Sequence, residues 1–71
     1  MDKQVLRNIE RLKEDMFLAE RKVADFISSN PYEVVELNVS DLADKSGASD
    51  ATVIRLCKRL RYKGFYQMKL A

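Results

Sequence analysis

Two glycines, Gly47 and Gly64, and one proline, Pro31, are the only strong chain punctuation in 71 residues. Sheets of short strands need frequent tight turns, and those turns draw heavily on glycine and proline. Apolar residues here recur instead at intervals of three and four, the repeat of one helix face. The expected fold is therefore all-α, a small bundle of about five to six helices. A chain this short buries a marginal core, so a partner subunit or neighbouring domain would add to its stability.

Composition then narrows the chemistry. Histidine is absent and Cys57 is the single cysteine. That excludes a disulfide framework and any metal site built from His and Cys, and it points to a reducing compartment. No apolar run approaches the ~20 residues that span a bilayer, and Met1-Asp2-Lys3 leads into no secretory segment. A cytoplasmic module without a membrane role or cofactor is expected. Cys57 falls on an apolar stripe with no imidazole to serve as its base, so it reads as a structural thiol. Without a glycine-rich phosphate loop either, the chain is not expected to be an enzyme.

The net charge of +2 conceals a split. Up to Asp50, seven Lys or Arg face eleven Asp or Glu, a balance of −4. From Ala51 onward there are six cations (Arg55, Lys58, Arg59, Arg61, Lys63 and Lys69) and no acid. A basic end on an acidic body suits a polyanion, although cations also accumulate at helix C-termini to offset the helix dipole. Spacing has to decide between these.

A first helix is expected over Asp2–Lys13, with Val5, Ile9, Leu12 and Met16 on one face and Leu6 beside them. Asp15 is the expected N-cap of a second, whose stripe is Ala19, Val23, Phe26 and Ile27. Asn30, Pro31 and Glu33 have the order of a cap, a first helical residue and a capping-box partner for a short third helix. Ser40 is the expected cap of the next, which Gly47 ends in a left-handed conformation. Ser49 caps the following helix, about Asp50–Leu60, with Val53, Leu56, Cys57 and Leu60 inward. A last helix begins at Phe65, with the aromatics Tyr62, Phe65 and Tyr66 at the junction read as core. The chain stops inside that helix, as a piece cut from a longer protein would.

Leu42-Ala43, Gly47, Ala48, Val53 and Leu56 together have the spacing of a helix-turn-helix of homeodomain-like type. Ala43 is small where the second helix crosses, Gly47 makes the turn, and Leu42, Val53 and Leu56 form the wedge that sets the angle. At 100° per residue, Ala51, Arg55, Lys58 and Arg59 face away from that wedge, with Thr52 and Ile54 at the edges. A solvated face usually mixes Glu with Lys and Arg; this one has no acid after Asp50. A small residue near the helix start, followed by cations, suits a helix that enters the major groove of duplex DNA. The residues expected at such an interface are Ser49, Asp50, Ala51, Thr52, Arg55, Lys58, Arg59, Arg61 and Lys63.

These residues also resemble a known family. Glu20-Arg21-Lys22-Val23-Ala24-Asp25-Phe26-Ile27 with Asn30-Pro31, then Ser40-Asp41-Leu42-Ala43, and most specifically Ser49 to Leu60 followed by Lys63-Gly64-Phe65, are similar to the N-terminal domain of RpiR-type bacterial transcription regulators. The resemblance covers nearly the whole chain. It implies a DNA-binding domain followed, in the full protein, by a sugar-isomerase-like domain that binds a phosphosugar effector. Two positions depart from the pattern. Phe17 stands where Ser or Thr usually caps helix two. Arg61 stands where glycine commonly ends the recognition helix, so either Arg61 is left-handed, at about 1 kcal/mol, or the helix runs on into Tyr62.

The rival reading is a helical protein–protein module without DNA contact. A homodimer is expected under either, because one helix-turn-helix makes few base contacts and bacterial versions commonly pair on two half-sites. Leu6 and Ile9 are the expected pairing surface.

Overall fold

The computed structural model describes residues 1–71 as six helices without strands. They are α1 (Lys3–Leu12), α2 (Leu18–Ser29), α3 (Pro31–Val35), α4 (Val39–Ser46), α5 (Asp50–Arg59) and α6 (Phe65–Leu70), with a 3-10 turn at Lys13–Asp15. None is long and apolar enough to cross a membrane.

Helices α2, α4 and α5 pack on one another around Leu56, which is fully buried. Val23, Ala24 and Ile27 enter from α2, Leu42 and Ala43 from α4, and Val53, Cys57 and Leu60 join Leu56 from α5. Helix α1 closes one side with Val5 and Ile9, and α6 closes another with Phe65 and Met68. The Asp2 N–H donates to the Ala71 carbonyl at 2.8 Å, which brings the two ends of the chain together.

Several helix starts differ from the sequence expectation, each because a nearer hydrogen-bond partner wins. Asp15 lies in the 3-10 turn and caps nothing; α2 starts after Phe17, whose N–H donates to Glu20 Oε1 at 2.9 Å. That later start rotates the buried stripe to Glu20, Val23, Ala24 and Ile27, leaving Ala19 exposed and Phe26 half-buried. Asn30 does stand at the N-cap position of α3 with Pro31 first in the helix, but its side chain turns back, Nδ2 donating to the Phe26 carbonyl at 3.1 Å, and makes no cap bond to α3. Glu33 pairs with Lys45 at 3.2 Å and closes no capping box. Helix α4 is capped by Asn38, whose Oδ1 accepts the Asp41 N–H at 2.8 Å, while Ser40 lies inside the first turn. Asp2 and Ser49 cap α1 and α5 through the N–H groups of Gln4 and Thr52.

Both ends that needed a left-handed residue have one. Gly47 has φ 76°, and Ala48 and Gly47 donate to the carbonyls of Ala43 and Asp44. A Cβ at Gly47 would meet nothing within 4 Å, so the torsion and not crowding calls for glycine. Arg61 has φ 75° and repeats the arrangement, with Tyr62 donating to Cys57 and Arg61 to Lys58. Helix α5 therefore stops, and Tyr62 lies beyond it. At the α6 junction Phe65 is in the core and Tyr62 packs half-buried against it, while Tyr66 is 71% exposed.

The fold depends on the volume of Leu56. Leu56→Ala is expected to cost about 2–5 kcal/mol through lost burial and the cavity left behind. Thermal denaturation checks this, and a melting curve that overlays the parent would remove Leu56 from the centre of the core.

Candidate nucleic-acid interface

Helices α4 and α5 are joined by the turn at Gly47, with Ala43 only 2% exposed beneath the crossing. The inward face of α5 is Val53, Leu56, Cys57 and Leu60, as its spacing requires. Cys57 is sealed among these: burial pushes its thiol up to about 11, and Sγ donates to Met68 Sδ at 3.9 Å. A thiol held protonated at neutral pH is no nucleophile.

The outward face is Asp50, Ala51, Arg55 and Lys58, all exposed. Asp50 accepts a hydrogen bond from Ser40 Oγ at 2.9 Å, which ties the starts of α4 and α5. Thr52 is buried, not available at an edge: its hydroxyl lies 3.0 Å from Ser49 Oγ and accepts from Arg55 Nη2 at 3.4 Å. Arg55 thus has a hydroxyl guide at its base and no acidic partner, since the ion pairs of the molecule are Lys13–Asp25, Lys45–Glu33 and Arg59–Glu20. Its side chain is exposed, and its charge also acts on the buried Glu20 without forming an ion pair. Lys58 continues that face one turn later, and Arg61 and Lys63 are exposed beyond the helix end.

Arg59 is placed differently. It turns back to α2, where Nε donates to Glu20 Oε2 and Nη2 pairs with Oε1, both at 3.1 Å. The guanidinium also lies over the Phe17 ring, 5.9 Å from its centroid. Glu20 is 1% exposed. Burial alone raises its pKa, but Arg59 and the Phe17 N–H, with a smaller contribution from the Arg55 charge, outweigh that and hold the carboxyl below the ordinary range. Arg59 is the one expected interface cation that the fold engages with an acid.

Sequence reasoning missed Glu20. Its signal was available: it stands three, four and seven residues before Val23, Ala24 and Ile27, on the buried stripe. Arg11 of α1 was also missed. It comes beside Lys58 and Arg61 around a cleft at the end of α5, and nothing in its local sequence shows that. Ile9, expected on a pairing surface, is fully buried, and Leu6 is partly buried against the same core. The α1 stripe is spent inside the molecule.

Two capped helices set by a glycine turn, with the second helix presenting cations to solvent, define a helix-turn-helix DNA-binding domain of the kind found in transcription regulators. Residues 3–71 match the rpiR-family helix-turn-helix model, and the chain belongs to that family. It is 40% identical over 62 residues to the HTH-type transcriptional regulator YbbH of Bacillus subtilis, covering 87% of this chain and 22% of that protein. It is 36% identical over 66 residues to the HTH-type transcriptional regulator TTE0211 of Caldanaerobacter subterraneus subsp. tengcongensis, covering 93% of this chain and 23% of that protein. The crystal structure of the N-terminal domain of Bacillus subtilis YbbH superposes with a TM-score of 0.89 at 39% identity, over 93% of this chain and 80% of that one. The chain thus spans under a quarter of the length of these two curated relatives.

The Glu20–Arg59 pair generates a pH prediction. A carboxyl with a lowered folded pKa stabilises the protein at neutral pH and loses that contribution as pH falls through the carboxylate range. Glu20→Gln is expected to cost about 1–3 kcal/mol at neutral pH, the scale of a charge-assisted hydrogen bond. In urea denaturation the deficit should shrink on acidification. A deficit that stays constant with pH would deny the ion pair its role.

Proposed function

We propose that this chain binds duplex DNA with α5 in the major groove and reads sequence chiefly through Arg55. The observation that carries the reading is the unpaired Arg55 guanidinium, one turn beyond the exposed Ala51. A small residue at position 51 allows the helix start to approach the base edges. An arginine behind it can make the two-pronged contact to guanine O6 and N7 that lysine cannot reproduce. Ser49 and Asp50 lie at the same end, where N–H groups at a helix start favour phosphate. Thr52 acts through Ser49 and Arg55, which it orients. Lys58, Arg61 and Lys63 take backbone phosphates, which set register without reading sequence.

In the full regulator the domain works as one half of a homodimer on two half-sites, in the cytoplasm. A sugar-isomerase-like domain beyond this chain senses a phosphosugar. The family membership and the resemblance support this extension. A protein–protein module without DNA contact is not favoured, because the apolar stripe of α1 that could have sealed a dimer is already occupied.

Selection of bound duplexes from a random-sequence pool supplies the site, and binding to its single-base variants tests the reading. Arg55→Lys is expected to cost about 1–3 kcal/mol on the selected duplex and to relax preference at one base pair, with random-duplex affinity unchanged. A uniform loss at every position would reassign Arg55 to the phosphate backbone.

A further inference from the structure

Where α1 ends beside the end of α5, the surface is hollowed into a cleft of about 460 Å³. Asn8 and Arg11 line it from α1, and Lys58, Arg59 and Arg61 from the α5 side; no acidic side chain lines it, and of these cations only Arg59 is paired, with Glu20 behind it. Arg11 Nη2 donates to Asn8 Oδ1 at 3.2 Å. An arginine held by a neutral amide is oriented without losing charge, and its remaining N–H groups stay free. Lys58 and Arg61 likewise take part in no ion pair. Three uncompensated cations thus line one concavity.

Two further observations argue that the concavity is built for an anion. The end of a helix normally repels one through its free carbonyls. Here the carbonyls of Leu56, Cys57 and Lys58 already accept from Leu60, Tyr62 and Arg61. Arg61 also holds a left-handed backbone, at φ 75°, that glycine would adopt without strain. A strained cation at the mouth of a cationic cleft fits the pattern in which strain collects at functional sites.

We infer that this cleft is a phosphate seat, formed jointly by Arg11, Lys58 and Arg61, that takes a backbone phosphate of the duplex lying against α5. The inference rests on the reading of α5 as the groove helix. Lys58 connects the two, since it lies one turn after Arg55 on the exposed face and also lines the cleft. Helix α1, outside the helix-turn-helix, thereby becomes part of the DNA interface and fixes how far α5 slides along the groove.

The test compares Arg11→Gln, Arg61→Gly and Arg55→Lys on selected and random duplexes across a salt series, with melting temperatures for each. Arg11→Gln and Arg61→Gly are each expected to weaken both duplexes alike, by roughly three- to tenfold, and to lower the salt slope by about one. Arg61→Gly should melt at or above the parent temperature, so its loss of binding cannot come from unfolding. If both bind as the parent does while Arg55→Lys loses base preference, the cleft proposal is overturned and the α5 reading stands. If no duplex binds the parent chain in a salt-dependent manner, both fall. Inorganic phosphate supplies the last arm. Saturable shifts of the Arg11 Nε–H signal with phosphate that duplex neither reproduces nor displaces would make the seat one for a free phosphate and overturn the assignment to DNA.

Discussion

A single buried carboxylate governs how the recognition helix is held. Glu20 is 1% exposed, and it satisfies the first N–H at the entrance to α2 while gripping Arg59 at the end of α5 with both oxygens. Leaving either partner unmatched in that setting would carry a desolvation penalty that a domain this small could ill absorb. The start of α2 and the end of α5 are therefore locked to one another. The apolar wedge around Leu56 sets how closely the helices approach; the carboxylate fixes their rotation.

That lock sorts the cations of the basic third into two groups. Arg59 is drawn inward and helps hold the scaffold. Arg55, Lys58, Arg61 and Lys63 are exposed and in no ion pair. Arg55 is further guided by Thr52, which is itself tied to Ser49 at the helix cap. A reading side chain with few rotamers left to freeze pays less entropy on binding. Each end of α5 thus has its own anchor, a hydroxyl pair at the start and an ion pair at the finish.

Much of this is legible in the sequence. The inward stripe of α5, the cap at Ser49 and the left-handed Gly47 follow from short-range rules that involve residues within four positions of each other. Arg61 was narrowed to two conformations, and the structure selects the strained one. What escaped was the choice among competing polar groups. Asn30 bonds back into α2 where a cap bond to α3 is expected, and Asn38 takes the capping place expected of Ser40, because those backbone groups are nearer. The fate of Arg59 was out of reach because its partner lies 39 residues earlier. On a helical wheel Arg59 faces outward; only the packing of α2 against α5 reveals the carboxylate waiting there.

The central claim is that Arg55 is free to read DNA and Arg59 is not. Arginine Nε–H signals of the domain, followed by NMR during titration with its selected duplex, test this most directly. The account predicts a large shift for Arg55 and at most a small one for Arg59, which lines the phosphate cleft but keeps its Nε–H on Glu20. An Arg59 signal that moves on binding while Arg55 stays unperturbed would contradict it.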